Sequence, residues 1–131
     1  MENHGGFSSD PEKLMHVINT LNMTNCGTLP DFGNWCIKWD KKTKKCVVEY
    51  KDYYKGIEIM MPAAKAVSAK SYNFDKNGNE TKIDYVKMLQ IVKDSGYNGY
   101  IGIEYEGEEI GEKEGVIATR NLLLNAAKRL N

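Results

Sequence analysis

Apolar side chains recur at Leu14, Val17, Ile18 and Leu21, the i, i+3, i+4, i+7 spacing that places them on one face of a helix over residues 11–22. Asp10 stands where a side chain caps free N–H groups, and Pro11 at the first helical position removes no needed donor. A second helix is predicted roughly within residues 50–61, stopping near Pro62. The pattern predicts a third over residues 83–94, capped by Thr81, burying Tyr85, Val86, Leu89 and Val92, with Gly96 at its end. A fourth spans roughly 114–130 and turns Val116, Leu123, Ala127 and Leu130 inward.

Three short β-like stretches, residues 24–29, 65–70 and 100–105, lie between the helices, each followed by a polar loop. Helices alternating with such stretches predict an α/β fold with parallel strands. The lysine-rich residues 38–45 read as an excursion, a small hairpin turning over 40–43. The DKNGNE segment, 75–80, is a turn with Asn77-Gly78 at its tip.

Composition narrows the function. The chain has 131 residues, one domain's worth, with 18 Lys+Arg against 18 Asp+Glu. Binding to nucleic acid through phosphate neutralisation calls for a basic excess, and none is present. No run approaches a membrane span and no signal peptide opens the chain, so a soluble, cytoplasmic protein without membrane or nucleic-acid partners is expected. Cys26, Cys36 and Cys46 form no CxxC pair, so they are expected to be reduced, structural thiols rather than zinc ligands.

In parallel α/β folds reactive groups gather at the carboxyl ends of strands. Those ends carry Glu2 in ENHGG, Asp31 in GTLPDFGNW, Ser68 and Lys70 in VSAK, and Glu104 in IGIEYEG. Most surface carboxylates are solvated and idle. Three at equivalent topological places raise the functional reading above that base rate. Lys70 follows Ser68 by two and shares its strand face, so its ammonium either joins the carboxylates or reaches solvent. His4 follows Glu2 by two, within reach as a ligand or proton donor if the Gly5-Gly6 turn brings it inward. Phe7, Phe32, Trp35, Tyr72 and Phe74 sit in the same loops and suit either pocket walls or packing.

The order ENHGG, DFGN, KAVSAK and IDYVKMLQIVKDSGYNGYIGIEYEG resembles the C-terminal half of the sugar phosphate isomerase/epimerase family. These are xylose-isomerase-like (β/α)8 barrels that include ketose 3-epimerases, inosose dehydratases and, more distantly, endonuclease IV. The most specific part of the resemblance is residues 84–106, a helix, a glycine-tyrosine turn and a strand ending in acid. The fold it implies is a partial (β/α)8 TIM barrel, the last three to four βα units with parallel strands in a single domain over 1–131.

The resemblance implies a divalent metal held by Glu, Asp, His and Glu from the last four strands. Glu2, Asp31 and Glu104 match the three carboxylates as metal ligands, and Glu2 and Glu104 match the catalytic acid/base pair. The metal-binding His is replaced by Ser68, a second family His by Ala66, and a substrate-binding His of some epimerases by Asn34. His4, Asn34, Ser68 and Lys70 are thus the substrate-binding candidates. An all-oxygen set favours Mg²⁺ or Mn²⁺ over zinc or cobalt. The implied reaction is isomerisation or epimerisation of a small sugar, sugar phosphate or polyol by metal-assisted proton transfer through an enediolate. The alternative is a carbohydrate-binding or interaction module that has lost catalysis, which Ser68 favours. An endonuclease IV type nuclease needs several histidines for its three zinc ions, and the chain has two.

Length then becomes informative, because a whole (β/α)8 barrel takes about 250 residues. An open half-barrel leaves strand edges and an apolar face uncovered. A homodimer, or a missing N-terminal half, is expected to cover them.

Overall fold

A computed structural model describes residues 1–130. Helix α1, Pro11–Leu21, begins as its sequence predicts: the Asp10 carboxylate accepts the Lys13 N–H (3.1 Å), and Asn22, in the left-handed region, ends it. Helix α2, Tyr53–Met60, is capped by Asp52 and passes at Pro62 into a short 3₁₀ turn, Met61–Ala63. Helix α3, Tyr85–Asp94, is capped by Asp84 rather than Thr81, since the Asp84 carboxylate accepts the N–H groups of both Val86 and Lys87. Its polypeptide leaves through Gly96 at φ +76°, a conformation that glycine adopts without steric cost.

Helix α4, Glu112–Lys128, corrects the predicted inward face. Gly115, Thr119, Leu122 and Ala126 are buried, while Val116 and Ala127 are exposed and Leu123 and Leu130 only partly covered. The helix packs through small and hydroxyl-bearing positions. Thr119 Oγ1 lies 2.6 Å from Ser71 Oγ and donates to the Gly115 carbonyl at 2.8 Å. Apolarity alone therefore selects the wrong stripe.

Strands β3, Val67–Ser71, and β4, Ile101–Tyr105, pair in parallel with Lys70 opposite Glu104. The 24–29 stretch forms no regular strand. Parallel bridges instead join Glu2 to Leu29, Thr28 to Ala64, and Asp31 to Ser68. Four chain segments, around Glu2, around residues 28–31, β3 and β4, thus lie side by side in sequence order and in one direction. Every residue of β3 is buried, as expected of a strand covered on both faces. The core fills the space between this array and the helices, with Leu14, Ile57, Met60 and Met88 fully buried and Phe32 edge-on to Tyr85 at 5.6 Å.

The predicted hairpin is present as β1, Cys36–Trp39, and β2, Cys46–Glu49, antiparallel with irregular register. Asp40 holds its turn by accepting from Lys42 N–H (3.0 Å), Thr43 N–H (2.6 Å) and Thr43 Oγ1 (2.9 Å). The expectation of three reduced cysteines is corrected here: Cys36 and Cys46 form a disulfide and Cys26 is free. Cys36 is opposite Glu49 and Cys46 opposite Trp39 in the irregular ladder, and the two cysteine Cα atoms lie 5.7 Å apart, within the range a disulfide spans. Among the described residues no helix is long and apolar enough to cross a membrane.

Candidate metal and acid–base site

The ends of the four parallel segments converge. Ligand oxygens of Glu2, Asp31 and Glu104 all lie within 4.8 Å of one another, and among the described residues no histidine or cysteine joins them. Register explains the gathering: Asp31 bridges to Ser68, and Lys70 is paired with Glu104.

Asp31 is fully buried and rigidly held. Its N–H donates to Asn3 Oδ1 (2.7 Å), and its Oδ1 accepts the Gly33 N–H (2.8 Å). Asn3 Nδ2 donates in turn to the carbonyls of Asp31 (3.0 Å) and Gly33 (2.8 Å). Asp31 Oδ2, by contrast, is buried with no hydrogen-bond partner. Burial pushes the Asp31 carboxyl up to about 7, although Ser68, Lys70 and the Gly33 N–H pull it down. Gly33 is required by close approach: a Cβ there would meet Tyr72 Oη at 2.5 Å and Lys70 Cγ at 2.7 Å.

Glu104 is oriented at both oxygens. Ser68 Oγ donates to Oε2 (3.1 Å) and Lys70 Nζ to Oε1 (2.7 Å). Burial opposes its ionisation, but Lys70 and Ser68 outweigh that and hold its carboxyl below the usual range. Lys70 is fully buried, and its ammonium also lies 2.9 Å from Glu106 Oε1. Burial disfavours its charge, yet the two glutamates win and raise it above the ordinary lysine value.

Among the substrate-binding candidates, Asn34, at φ +63°, donates to Glu2 Oε1 at 3.5 Å and so borders the cluster. Ser68 and Lys70 contact Glu104 directly. His4 is exposed and lies outside the three-carboxylate group; its backbone N–H donates to Ser8 Oγ. Phe32, Trp35 and Tyr72 line a neighbouring cavity, Phe74 stacks on Tyr105, and Phe7 is exposed. Sequence reasoning missed Asn3 and Glu106. Glu106 follows Glu104 by two, the spacing that returns a side chain to the same face, so its signal was present.

The donor set fits a hard divalent cation. The Lys70 ammonium pairs with Glu104 and Glu106, while Glu2 and Asp31 complete the acidic group with Glu104, and the orphaned Asp31 Oδ2 is the kind of buried acceptor that a cation satisfies. Glu2, Asp31 and Glu104 would hold it, and oxygen ligation suits Mg²⁺ or Mn²⁺.

A family model described as a xylose isomerase-like TIM barrel matches residues 1–126. The chain is 36% identical over 58 residues to the C-glycoside deglycosidase alpha subunit of Arthrobacter globiformis, covering 42% of this chain and 16% of that protein. It is 40% identical over 48 residues to the 3'-dehydrocarminate deglycosidase alpha subunit of a Microbacterium species, covering 37% of this chain and 14% of that protein. These matches thus span a small part of each relative's length.

Proposed function

The chain belongs to the xylose isomerase-like TIM barrel family, and from that premise we propose that its carboxylate cluster is the proton-transfer centre of a sugar-acting enzyme. The observation that carries the proposal is the convergence of Glu2, Asp31 and Glu104 within 4.8 Å, from three segments far apart in sequence, around a buried oxygen with no partner.

A divalent cation bound there would supply positive charge where an oxygen becomes negative as a neighbouring C–H proton leaves. The residues divide the remaining work. Asp31, locked by Asn3 and Gly33, is an anchor. Glu2 and Glu104 are the partly exposed carboxylates placed to take a proton from carbon and return it. Ser68 and Lys70 fix the orientation of Glu104, and Asn34 borders Glu2. Removal and return of a proton next to a carbonyl interconverts ketose epimers, or a ketose and an aldose, through an enediolate.

The relatives' names favour a second outcome of the same first step. A 3'-dehydro sugar carries a ketone, so a proton lost from the adjacent carbon leaves an electron pair that can expel a group at the next carbon. The products are an unsaturated keto sugar and the protonated leaving group. Both readings require a carbonyl-bearing sugar and share Glu2 and Glu104.

Incubating the chain with Mn²⁺ and a ketohexose or 3-keto glucoside in D₂O tests the shared step. Deuterium should enter at the carbon beside the carbonyl, and Glu2→Gln or Glu104→Gln should slow exchange at least a hundredfold, the low end for general acid–base catalysis. Exchange that both variants leave unchanged would sink the assignment.

A further inference from the structure

Tyr72 follows Ser68 and Lys70 at successive spacings of two, which carries one face of β3 past the strand end and toward the carboxylate cluster. Its hydroxyl reaches Gly33, where a Cβ would meet Oη at 2.5 Å, and the Gly33 N–H is the group that holds Asp31 Oδ1. The charges that act on the phenol are those of the site itself, Lys70, Asp31 and Glu106. Two contacts fix the residue. Gly107 leaves room for the Tyr72 carbonyl, which a Cβ there would strike, and Lys82 Nζ sits over the ring, 4.8 Å from its centre. The Asn34 backbone N–H faces Oη as a donor, and among the described residues none accepts the phenol proton. The hydroxyl therefore has a donor to spare on the wall of the cavity that adjoins the cluster.

We propose that Tyr72 is a catalytic residue, whose O–H donates a hydrogen bond to the keto oxygen of the sugar bound at Glu2 and Glu104. The proposal rests on the sugar-acting reading above and adds to it a residue that touches the reacting carbonyl. Packing alone would use the ring, whereas Gly33 and the Asn34 N–H are arranged around the phenol oxygen. A carbonyl oxygen accepts and cannot donate, so it matches a group whose unspent capacity is a donor. As the C–H bond breaks, its proton passes to a glutamate carboxylate and its electron pair forms the new C=C bond, displacing the carbonyl pair onto oxygen. A hydrogen bond to that oxygen strengthens as its charge grows. Tyr72 keeps its own proton throughout, and return of the glutamate's proton to carbon reverses the step. The phenol is protonated at neutral pH, and burial raises it further above its ordinary value.

Tyr72→Phe keeps the ring and removes only the hydroxyl, so this variant and the native chain are compared on methyl 3-keto-β-D-glucopyranoside with Mn²⁺ in D₂O. Sugar binding is followed by tryptophan emission, since Trp35 and Trp39 line the same cavity, and Mn²⁺ affinity is measured on both chains. Mn²⁺ affinity should be equal, and sugar affinity about threefold weaker in the variant, near the low end for loss of a neutral hydrogen bond. Deuterium exchange at saturating sugar should be about a hundredfold slower, the low end for loss of an oxyanion donor. Unchanged exchange and sugar affinity would overturn the assignment, and so would loss of Mn²⁺ binding in step with exchange, which marks a structural role. Exchange that Glu104→Gln abolishes and Tyr72→Phe leaves intact removes Tyr72 and leaves the proton-transfer centre standing. Sugar binding that depends on the hydroxyl, in a native chain that exchanges no proton, removes the proton-transfer reading and supports Tyr72 as the donor to the keto oxygen. A native chain that neither binds nor exchanges the sugar overturns both.

Discussion

Lys70 and Glu104 stand opposite each other on adjacent parallel strands, with Nζ 2.7 Å from Oε1. The ammonium is fully buried and contacts a second carboxylate, Glu106. Removing one member of a buried ion pair leaves the other uncompensated, a loss of about 3–5 kcal/mol. Glu104 and Glu106 are both more exposed than Lys70, so water relieves part of the penalty and the lower end applies. Lys70→Met should therefore destabilise the metal-free chain by roughly 3 kcal/mol in urea unfolding. Mn²⁺ should restore part of that stability by replacing the lost positive charge. A variant as stable as the native chain would show that the pair contributes no net stability.

Asp31 gives a pH dependence of definite sign. Burial raises its carboxyl from 3.8 to about 7 in the folded chain, so between those values the folded state binds the extra proton. Stability should then fall as pH rises through that window, by at most about 1.4 kcal/mol per pH unit for one group, and level off above it. Because other carboxylates titrate at the acidic end, the informative quantity is the difference between the native chain and Asp31→Asn, from urea titrations between pH 4 and 8. Saturating Mn²⁺ should oppose the fall, since the cation binds the ionised form. An unchanged difference across the window would place Asp31 among ordinary solvated carboxylates.

The hairpin disulfide predicts a thiol count. Under non-reducing denaturation, reagent should titrate one thiol, Cys26, and after reduction all three. Cross-linking a loop of this size contributes about 2–3 kcal/mol by chain entropy, so Cys36→Ser with Cys46→Ser should lower stability by that order. Three titratable thiols in freshly isolated protein would return the cysteines to the reduced state that their spacing suggested.

The edge of β4 away from β3 carries no strand among the described residues, and Tyr100 beside it is 95% exposed. Ile117 and Leu124, seven residues apart on α4, are also exposed. An open strand edge with exposed apolar side chains invites association. Light scattering coupled to size exclusion should show a species of at least two chains, which Ile117→Lys with Leu124→Lys should dissociate. A single-chain mass for the native protein would exclude self-association through this surface.

Much of the architecture was legible because it rests on local chemistry. The Asp10-Pro11 start, the Gly96 stop and the 40–43 turn each follow from one or two residues whose backbone preferences are strong. The acidic strand ends were legible for the same reason, since alternation in IGIEYEG places Glu104 on one face. What remained hidden depends on partners distant in the chain. The buried side of α4 is chosen by Ser71 meeting Thr119, 48 residues apart, and periodicity cannot report that. Residues 28–31 join the parallel array through single bridges rather than a strand, so propensity gives the segment and not its form. Asn3 reads as a loop residue until its amide is seen bonding the Asp31 and Gly33 backbones.

Whether Glu2, Asp31 and Glu104 together hold a divalent cation is read by titration with Mn²⁺, followed by electron paramagnetic resonance of the free ion. One site per chain should bind tighter than roughly a millimolar, and Asp31→Asn and Glu104→Gln should each weaken it about tenfold or more. No binding at millimolar Mn²⁺, or equal binding by the native chain and both variants, would contradict it.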